Sequence, residues 1–356
     1  MTIFILTRKD HPMPFPGNLR YWSWNHYLRE RFGEKVYKVS IDAGFDCPNR
    51  DGVLAVGGCT YCDEGSRAPG VNPALSIRDQ LLQGMERMRT RYKAKKFIAY
   101  FQAFTNTYAR TEILRERYTQ ALNHPDVVGL SVSTRPDTLS EGAVELLDEI
   151  AQRSHPAQGS HPEHSEGSPF ELWLELGLQT IHDKTNERLN RWHTYQQFLR
   201  AVEKVRHSER RAKARSEESP HIKICTHIIL GLPGETIEMM HQTVEEIAKL
   251  PIDGLKIHLL HVIKNTKLYE DYLKGEVSLF EEDEYINLVC DLLEKIPSHI
   301  IIHRLTGDAA PDKLIAPRWV LEKARVLQKI NETLQRRESY QGVRANITPS
   351  LKSPAL

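Results

Sequence analysis

The chain has 356 residues, 40% of them hydrophobic and 27% charged, with 48 Lys+Arg against 47 Asp+Glu. That is enough apolar chain for a large buried core, and a formal charge of +1 removes any general electrostatic drive toward nucleic acid or membrane, leaving only a local basic face open. No apolar run approaches the ~18 residues that span a bilayer, residues 1–6 lack the regions of an export signal, and five cysteines are too few for a disulfide scaffold, so a cytosolic protein is expected.

Residues 1–35 form an aromatic and basic extension, with Tyr21, Trp22, Trp24, Tyr27 and Phe32 among Arg20, Arg29 and Arg31. The mixture has the character of a nucleic-acid surface, but packing of an N-terminal helix against the body explains the aromatics more simply. From residue 36 onward, short apolar runs alternate with segments of helical period. Strands are predicted at 36–41, 97–101, 127–133, 172–178, 222–230, 255–262 and 300–303. Helices are predicted at 77–91, 111–123, 140–153, 195–206, 237–250, 281–295 and 318–336. Ser140, followed by Glu141 and Glu145, starts one of them with acidic charge that suits the helix dipole.

Repeated β–α order with continuously apolar strands predicts a parallel sheet covered by helices on its outer side, and about 250 residues of such units form one barrel-like domain. The expected fold is α/β, a partial or complete (β/α) barrel over residues 36–317, followed at 318–356 by a helix and a tail that frays after Arg337. Periodicity alone leaves a doubly wound sheet open. Polar insertions at 154–169 and 206–221 break the rhythm. The first reads as a solvated excursion in which His155, His161 and His164 are not metal ligands. The second gathers Arg206, Arg210, Arg211, Lys213 and Arg215 as a solvated charged face, with phosphate contact as the alternative.

The strongest chemical signal is CPNRDGVLAVGGCTYC, which places Cys47, Cys59 and Cys62 in a loop directly after the first predicted strand. Gly52, Gly57 and Gly58 allow that loop to bend around an inorganic centre. Thiolates favour zinc or iron–sulfur centres. A closed zinc site wants a fourth Cys or His nearby, and the local sequence offers none. Cys225 and Cys290 fall on a predicted strand and helix, as small core residues. Three thiolates on a four-iron cluster leave one iron open to bind and reductively split a substrate. Zinc and plain buried thiols remain the competing readings of the spacing.

The run RYWSWNHYLRERFGEKVYKVSIDAGFDCPNRDG, followed by GGCTYC, resembles the YhcC/YtqA-type radical S-adenosylmethionine (SAM) proteins, and the resemblance continues to about Trp319. The segments STRPD (133–137), ELGLQ (175–179) and HIILGLPGE (227–235) are also similar to the radical SAM domain of the Elongator catalytic subunit. The resemblance implies that Cys47, Cys59 and Cys62 ligate a [4Fe–4S] cluster and that SAM chelates its fourth iron. An electron from a donor such as flavodoxin or ferredoxin then cleaves SAM to a 5′-deoxyadenosyl radical, which abstracts hydrogen from substrate. The implied substrate is tRNA, at the C5 side chain of a wobble uridine.

It also implies roles around the mouth of the barrel. Gln102 and Asn106 follow the second strand, where relatives meet the methionyl amine; capping of the helix near Arg110 is the plainer role. Ser133 stands where relatives often carry a glutamate for the ribose, a departure that leaves ribose recognition open. Gln179 and Arg191 are spaced as the pair that holds SAM, the planar guanidinium matching its carboxylate, with a surface ion pair as the alternative for Arg191. Gly231 opens a turn whose amides would reach the adenine, and Lys256, His258 and Lys264 are candidates for substrate or adenine contact. After Trp319 too few residues remain for the Elongator subunit's acetyltransferase domain, so remodelling of an already attached aminomethyl-type group is expected. The alternatives are the same chemistry on a small metabolite or protein side chain, and a non-catalytic Fe–S or zinc protein.

Overall fold

The computed structural model describes residues 15, 18–63, 66–152, 170–213 and 222–345. The predicted excursion at 154–169 with its three histidines, and residues 214–221 of the second, lie outside them. Seven strands form one parallel sheet in the order β1 (Val36–Ile41), β2 (Lys96–Phe101), β3 (Val127–Thr134), β4 (Glu171–Gln179), β5 (Lys223–Leu230), β6 (Gly254–Leu259) and β8 (Ile301–Arg304). β7 (Val262–Ile263) leaves this sheet and pairs antiparallel with β9 (Leu314–Ala316). The first and last strands of the seven do not pair, so the sheet is a partial barrel, and the doubly wound alternative is set aside.

The chain forms helices α1 (Trp24–Phe32), α2 (Ile77–Tyr92), α3 (Thr111–Leu122), α4 (Glu141–Gln152), α5 (Asp183–Arg188), α6 (Tyr195–Lys213), α7 (Ile237–Ile247), α8 (Lys267–Leu273), α9 (Glu282–Lys295) and α10 (Lys323–Arg336). The strands are not continuously apolar. In β4, Leu172, Leu174, Leu176 and Leu178 enter the main core with Leu146, Leu147 and Phe198 of the helices. The alternate residues Glu171, Trp173, Glu175, Gly177 and Gln179 face the other way, as the period of two requires. The outer face therefore supplies hydrophobic burial, ~1.5–3 kcal/mol for each fully buried leucine, and the concave face is left for polar side chains.

α1 plugs the N-terminal end of the barrel. Ser23 caps it, accepting from the His26 N–H, and Gly33 ends it at φ 68°. The Ile302 N–H donates to the Trp22 carbonyl at 2.8 Å, tying the segment to the edge strand β8. Trp24 meets Trp173 edge-on at 5.0 Å and lies 4.1 Å from the His303 ring. The Tyr27 hydroxyl donates to Glu171 at 2.8 Å, beside Lys223 at 2.9 Å. The opening aromatics thus pack against the barrel instead of forming a nucleic-acid surface.

Two further expectations change. The helix predicted to stop at Arg206 continues to Lys213, and Arg206 is a buried tie: it bonds Glu209 at 2.8 Å, Asp253 at 2.5 Å and the Pro251 carbonyl at 2.8 Å. The tail predicted to fray after Arg337 is held through residue 345. Fully buried Gln341 receives the Trp22 N–H at 2.9 Å and donates to the Pro297 and Ile300 carbonyls at 2.8 Å. α10 packs on α9 and brings Val326, Ile330 and Leu334 into the main core.

Candidate active site

The cysteine loop leaves β1 at the C-terminal end of the barrel, opposite the plug. Its first turn closes when the Arg50 and Asp51 N–H groups donate to the Cys47 carbonyl at 2.7 and 3.2 Å. The two residues of that turn reach the other cysteines. Asn49 Nδ2 donates to Cys59 Sγ at 3.4 Å, and Arg50 Nη2 reaches the Cys62 carbonyl at 2.9 Å and its Sγ at 3.8 Å. Gly58 is required here: its φ is +83°, and a Cβ would meet the Arg50 side chain at 2.9 Å. The loop is anchored across the mouth by Asn190, whose side chain donates to the Val56 and Gly58 carbonyls at 3.1 and 2.8 Å.

All three cysteines are free thiols. Burial, and then the Cys59 sulfur beside it, push the Cys62 thiol above its ordinary range, while Ser66 and Arg50 pull the other way. Among the described residues, no three His, Cys, Asp or Glu side chains converge as a single metal ion requires. Cys59 and Cys62, each approached by N–H or cationic donors, and Cys47 in the turn of the same loop fit the thiolate ligands of an iron–sulfur cluster that keeps one iron open. Cys225 and Cys290 are buried in the core, and burial pushes Cys290 up to about 12.

Arg191 sits beside this loop. It is 8% exposed, so the surface ion-pair alternative is overturned. Its Nη2 donates to the Gly177 carbonyl at 2.7 Å, and its Nη1 reaches Cys59 Sγ at 3.6 Å and the Tyr61 hydroxyl at 3.2 Å. Burial opposes its charge, but Tyr61 and Cys59 outweigh that and hold it firmly protonated. Arg135, itself locked on Asp137 at 2.9 Å, donates to the Arg191 carbonyl at 2.7 Å and fixes its backbone. Gly177 makes room, since a Cβ there would lie 2.6 Å from Arg191 Nη2 and 2.9 Å from Gln179 Nε2.

Gln179 has φ 71°, the left-handed conformation that most side chains avoid, at a register shift of β4 against β5. Its Oε1, Arg191 Nε and Asn106 Oδ1 are buried with no partner. An unclaimed acceptor and an unclaimed guanidinium donor beside the cysteine loop fit the ammonium and carboxylate of an amino-acid head group such as SAM's. Asn106 Nδ2 donates to the Ser133 carbonyl at 2.8 Å, so those two residues are joined at the C-terminal end of β3. Gln102 does not cap the helix near Arg110; its amide donates to the Ser66 carbonyl at 2.7 Å, next to Cys62.

The remaining predicted residues separate. Gly231, at φ +84°, turns tightly under Phe280, whose ring atoms would stand 3.1 Å from a Cβ. The following Leu232 shares a small apolar cluster with Leu189 and Tyr61. Lys264 is exposed and lines a cleft of about 370 Å³ with Arg50, Cys62 and Lys313. Lys256 lies deep in the barrel, away from it. There Glu175 of β4 accepts from Lys256, from Lys38 of β1, from the Tyr100 hydroxyl at 2.8 Å and from Ser131 Oγ at 3.0 Å. Only the concave interior lets one β4 side chain touch strands this far apart. Burial alone would raise the Glu175 carboxyl, but Lys256 and Lys38 hold it well below its ordinary range. Above this layer, the His258 ring lies 4.2 Å from that of His227, and Arg304 Nη1 is 3.2 Å from His258 Nε2.

Sequence reasoning assigned no role to Lys38, Tyr100, Glu175, His227 or Arg304. The signal for Glu175 and His227 was the polar residue at every second position of an apolar strand. Arg50 and Asn49 carried no signal apart from lying inside the cysteine loop.

Residues 52–247 match the Radical SAM superfamily and residues 252–336 the Radical_SAM C-terminal domain. Cys59 and Cys62 lie inside the first match, and Cys47 lies five residues before it. The chain is 42% identical over 336 residues to the uncharacterized protein YtqA of Bacillus subtilis, covering 94% of this chain and 96% of that one. It is 25% identical over 184 residues to the tRNA uridine(34) acetyltransferase of Methanocaldococcus jannaschii, which covers 51% of this chain and 28% of that protein. Among solved structures, archaeal Methanocaldococcus infernus Elp3 superposes with a TM-score of 0.58 at 17% identity, over 86% of this chain and 64% of the other, a likeness of fold. With the partial barrel, the three-cysteine loop and a nearly coextensive YtqA relative all in agreement, the chain belongs to the Radical SAM superfamily, as an enzyme of the YhcC/YtqA type whose cofactors are a [4Fe–4S] cluster and SAM.

Proposed function

We propose that Cys47, Cys59 and Cys62 hold the cluster, that Arg191 binds the carboxylate of SAM while Gln179 and Asn106 take its amine, and that the enzyme remodels the C5 side chain of a wobble uridine in tRNA. When bound, the cluster and SAM supply reductive sulfonium cleavage and, from it, hydrogen-atom abstraction. The protein's own task is to bind, orient and exclude water. Arg191 carries the reading, because one guanidinium touches the Cys59 sulfur at 3.6 Å and still presents an unclaimed Nε. Its planar donors match a carboxylate, and its backbone is locked by Arg135, so little ordering remains to be done at binding. Ribose and adenine contacts are assigned to Ser133, joined to Asn106, and to the Gly231 turn as part of the same reading, with Lys264, on the cleft that Arg50 and Cys62 line, facing the substrate.

Support for tRNA comes from the relative named a tRNA uridine(34) acetyltransferase, which this chain matches over about half its own length. The cytosol and a flavodoxin- or ferredoxin-type donor complete the proposal. Mass spectrometry of tRNA nucleosides from cells with and without the gene tests the substrate, and an unchanged set of wobble nucleosides refutes it. Production of 5′-deoxyadenosine by the anaerobically reconstituted protein given SAM and dithionite tests the chemistry separately.

A further inference from the structure

The interior of the barrel carries an imbalance of charge. Three cationic side chains, Lys38, Lys256 and Arg304, share the space around one carboxylate, Glu175, and only the first two bond to it. Arg304 leans on His258 at 3.2 Å, and its nearest carboxylate is Asp308, at 3.4 Å and 39% exposed. His227 Nε2 is buried with no partner, next to a His258 that keeps part of its surface exposed. A strand residue connects this layer to the cofactor pocket: His227 is in register with Gly177, whose carbonyl holds Arg191.

We propose that this interior is a receptor for an anionic end of the substrate, a carboxylate or a phosphate, held by Arg304 and His258 with Lys256 behind them. Burial, together with Lys256 for His227 and with His227 and Arg304 for His258, holds both imidazoles well below their ordinary range. Neutral His258 accepts from Arg304 at Nε2 and keeps its Nδ1–H as a donor, and the carboxylate an arriving anion exchanges with on Arg304 is the long, partly exposed contact to Asp308. A bare aminomethyl cation, by contrast, would face two lysines and an arginine. This inference rests on the proposed radical chemistry only in that it places the reacting end of the substrate here. A C5 side chain that carries a carboxylate satisfies both.

The test is calorimetry on the cluster-reconstituted full chain without SAM, titrated with acetate, with inorganic phosphate and with uncharged acetamide. Saturable binding of an anion but not of acetamide is expected, and the anion bound more tightly identifies carboxylate or phosphate. Arg304→Gln should weaken that binding at least tenfold. The ring resonances of His227 and His258 should move with the anion in the unmodified protein, a readout that holds even where the variant fails to fold. Absence of saturable anion binding, or binding unchanged by Arg304→Gln, overturns the proposal. The two readings fail separately: anion binding with unaltered tRNA nucleosides removes the tRNA substrate and leaves the receptor, and the converse result removes the receptor alone.

Discussion

The space beside Arg191 is set by a missing side chain, and replacing Gly177 with alanine measures it. A Cβ there would stand 2.6 Å from Arg191 Nη2, where ordinary contact begins near 3.4 Å, so the guanidinium must retreat by about 0.8 Å. It has little room, because Tyr61 and Cys59 lie against its other nitrogen and Arg135 pins its backbone. The bond to the Gly177 carbonyl is lost, and the face offered to a carboxylate tilts away. A hydrogen bond to a charged group is worth ~1.5–3 kcal/mol, so the Kd for SAM should rise roughly 10- to 100-fold. Overpacking should also lower stability by about 1–3 kcal/mol. Equilibrium binding of SAM to the reconstituted protein is the assay, with denaturant unfolding alongside. Gly142→Ala is the control, since its Cβ meets Thr111 Oγ1 at the same 2.6 Å on the outer helices, far from the mouth. A Kd within twofold of the parent for Gly177→Ala, or an equal change for Gly142→Ala, would refute the assigned geometry.

Cys59→Ala should abolish the visible iron–sulfur absorption of reconstituted protein, whereas Cys290→Ala, in the core beneath α10, should keep it; equal iron content in the two would exclude Cys59 as a ligand. Leu28 is 1% exposed on the plug helix, so Leu28→Ala should cost about 2–5 kcal/mol in urea unfolding; a loss under 1 kcal/mol would mean that α1 docks without supporting the barrel. Glu175 has its folded pKa depressed by Lys256 and Lys38, so its stabilisation is complete above the unfolded value near ~4.3 and is lost as pH falls through the folded one. Glu175→Gln leaves two lysines unpaired and should lose roughly 3–5 kcal/mol at pH 7, with the gap to the parent closing only in strong acid; a gap independent of pH would contradict the depressed carboxyl.

The strands were legible because their outward faces are apolar whatever the inner face holds: β1 matches its prediction residue for residue, and β2 through β5 fall within one residue of theirs at each end. The run predicted as one strand at 255–262 divides because Leu259 ends the barrel pairing and Val262 takes a different partner, Ala316. Apolar content cannot announce a change of partner. The short helices α5 and α8 were missed because six or seven residues carry too little periodicity, and such helices owe their stability to packing. In the site, the cysteines stood out by their spacing within one loop, while the Gln179–Arg191 pair was reached through the resemblance to radical SAM domains. The Glu175 layer could not, because Lys38 and Lys256 are separated from it by 137 and 81 residues and meet it only once the sheet curls.

That curl, together with the plug, decides from which side a substrate reaches the interior. Trp24 and Tyr27 pack against Trp173, His303 and Glu171 and shut the N-terminal end of the barrel to a substrate. Of the proposed tRNA substrate, only a side chain projecting from one base can enter a seven-stranded partial barrel. The two sites share a level of the sheet: His227 is in register with Gly177 and Lys256, and His258 lies one residue beyond the level of Gln179. In the proposed reading, an anion held at Arg304 and His258, near the level of Gly177 and Arg191, sets which carbon of the substrate is offered to the cofactor. On that proposal the choice of atom follows from where the charge is held, and shortening or neutralising the end of the side chain should lower turnover more than it lowers binding of the tRNA body.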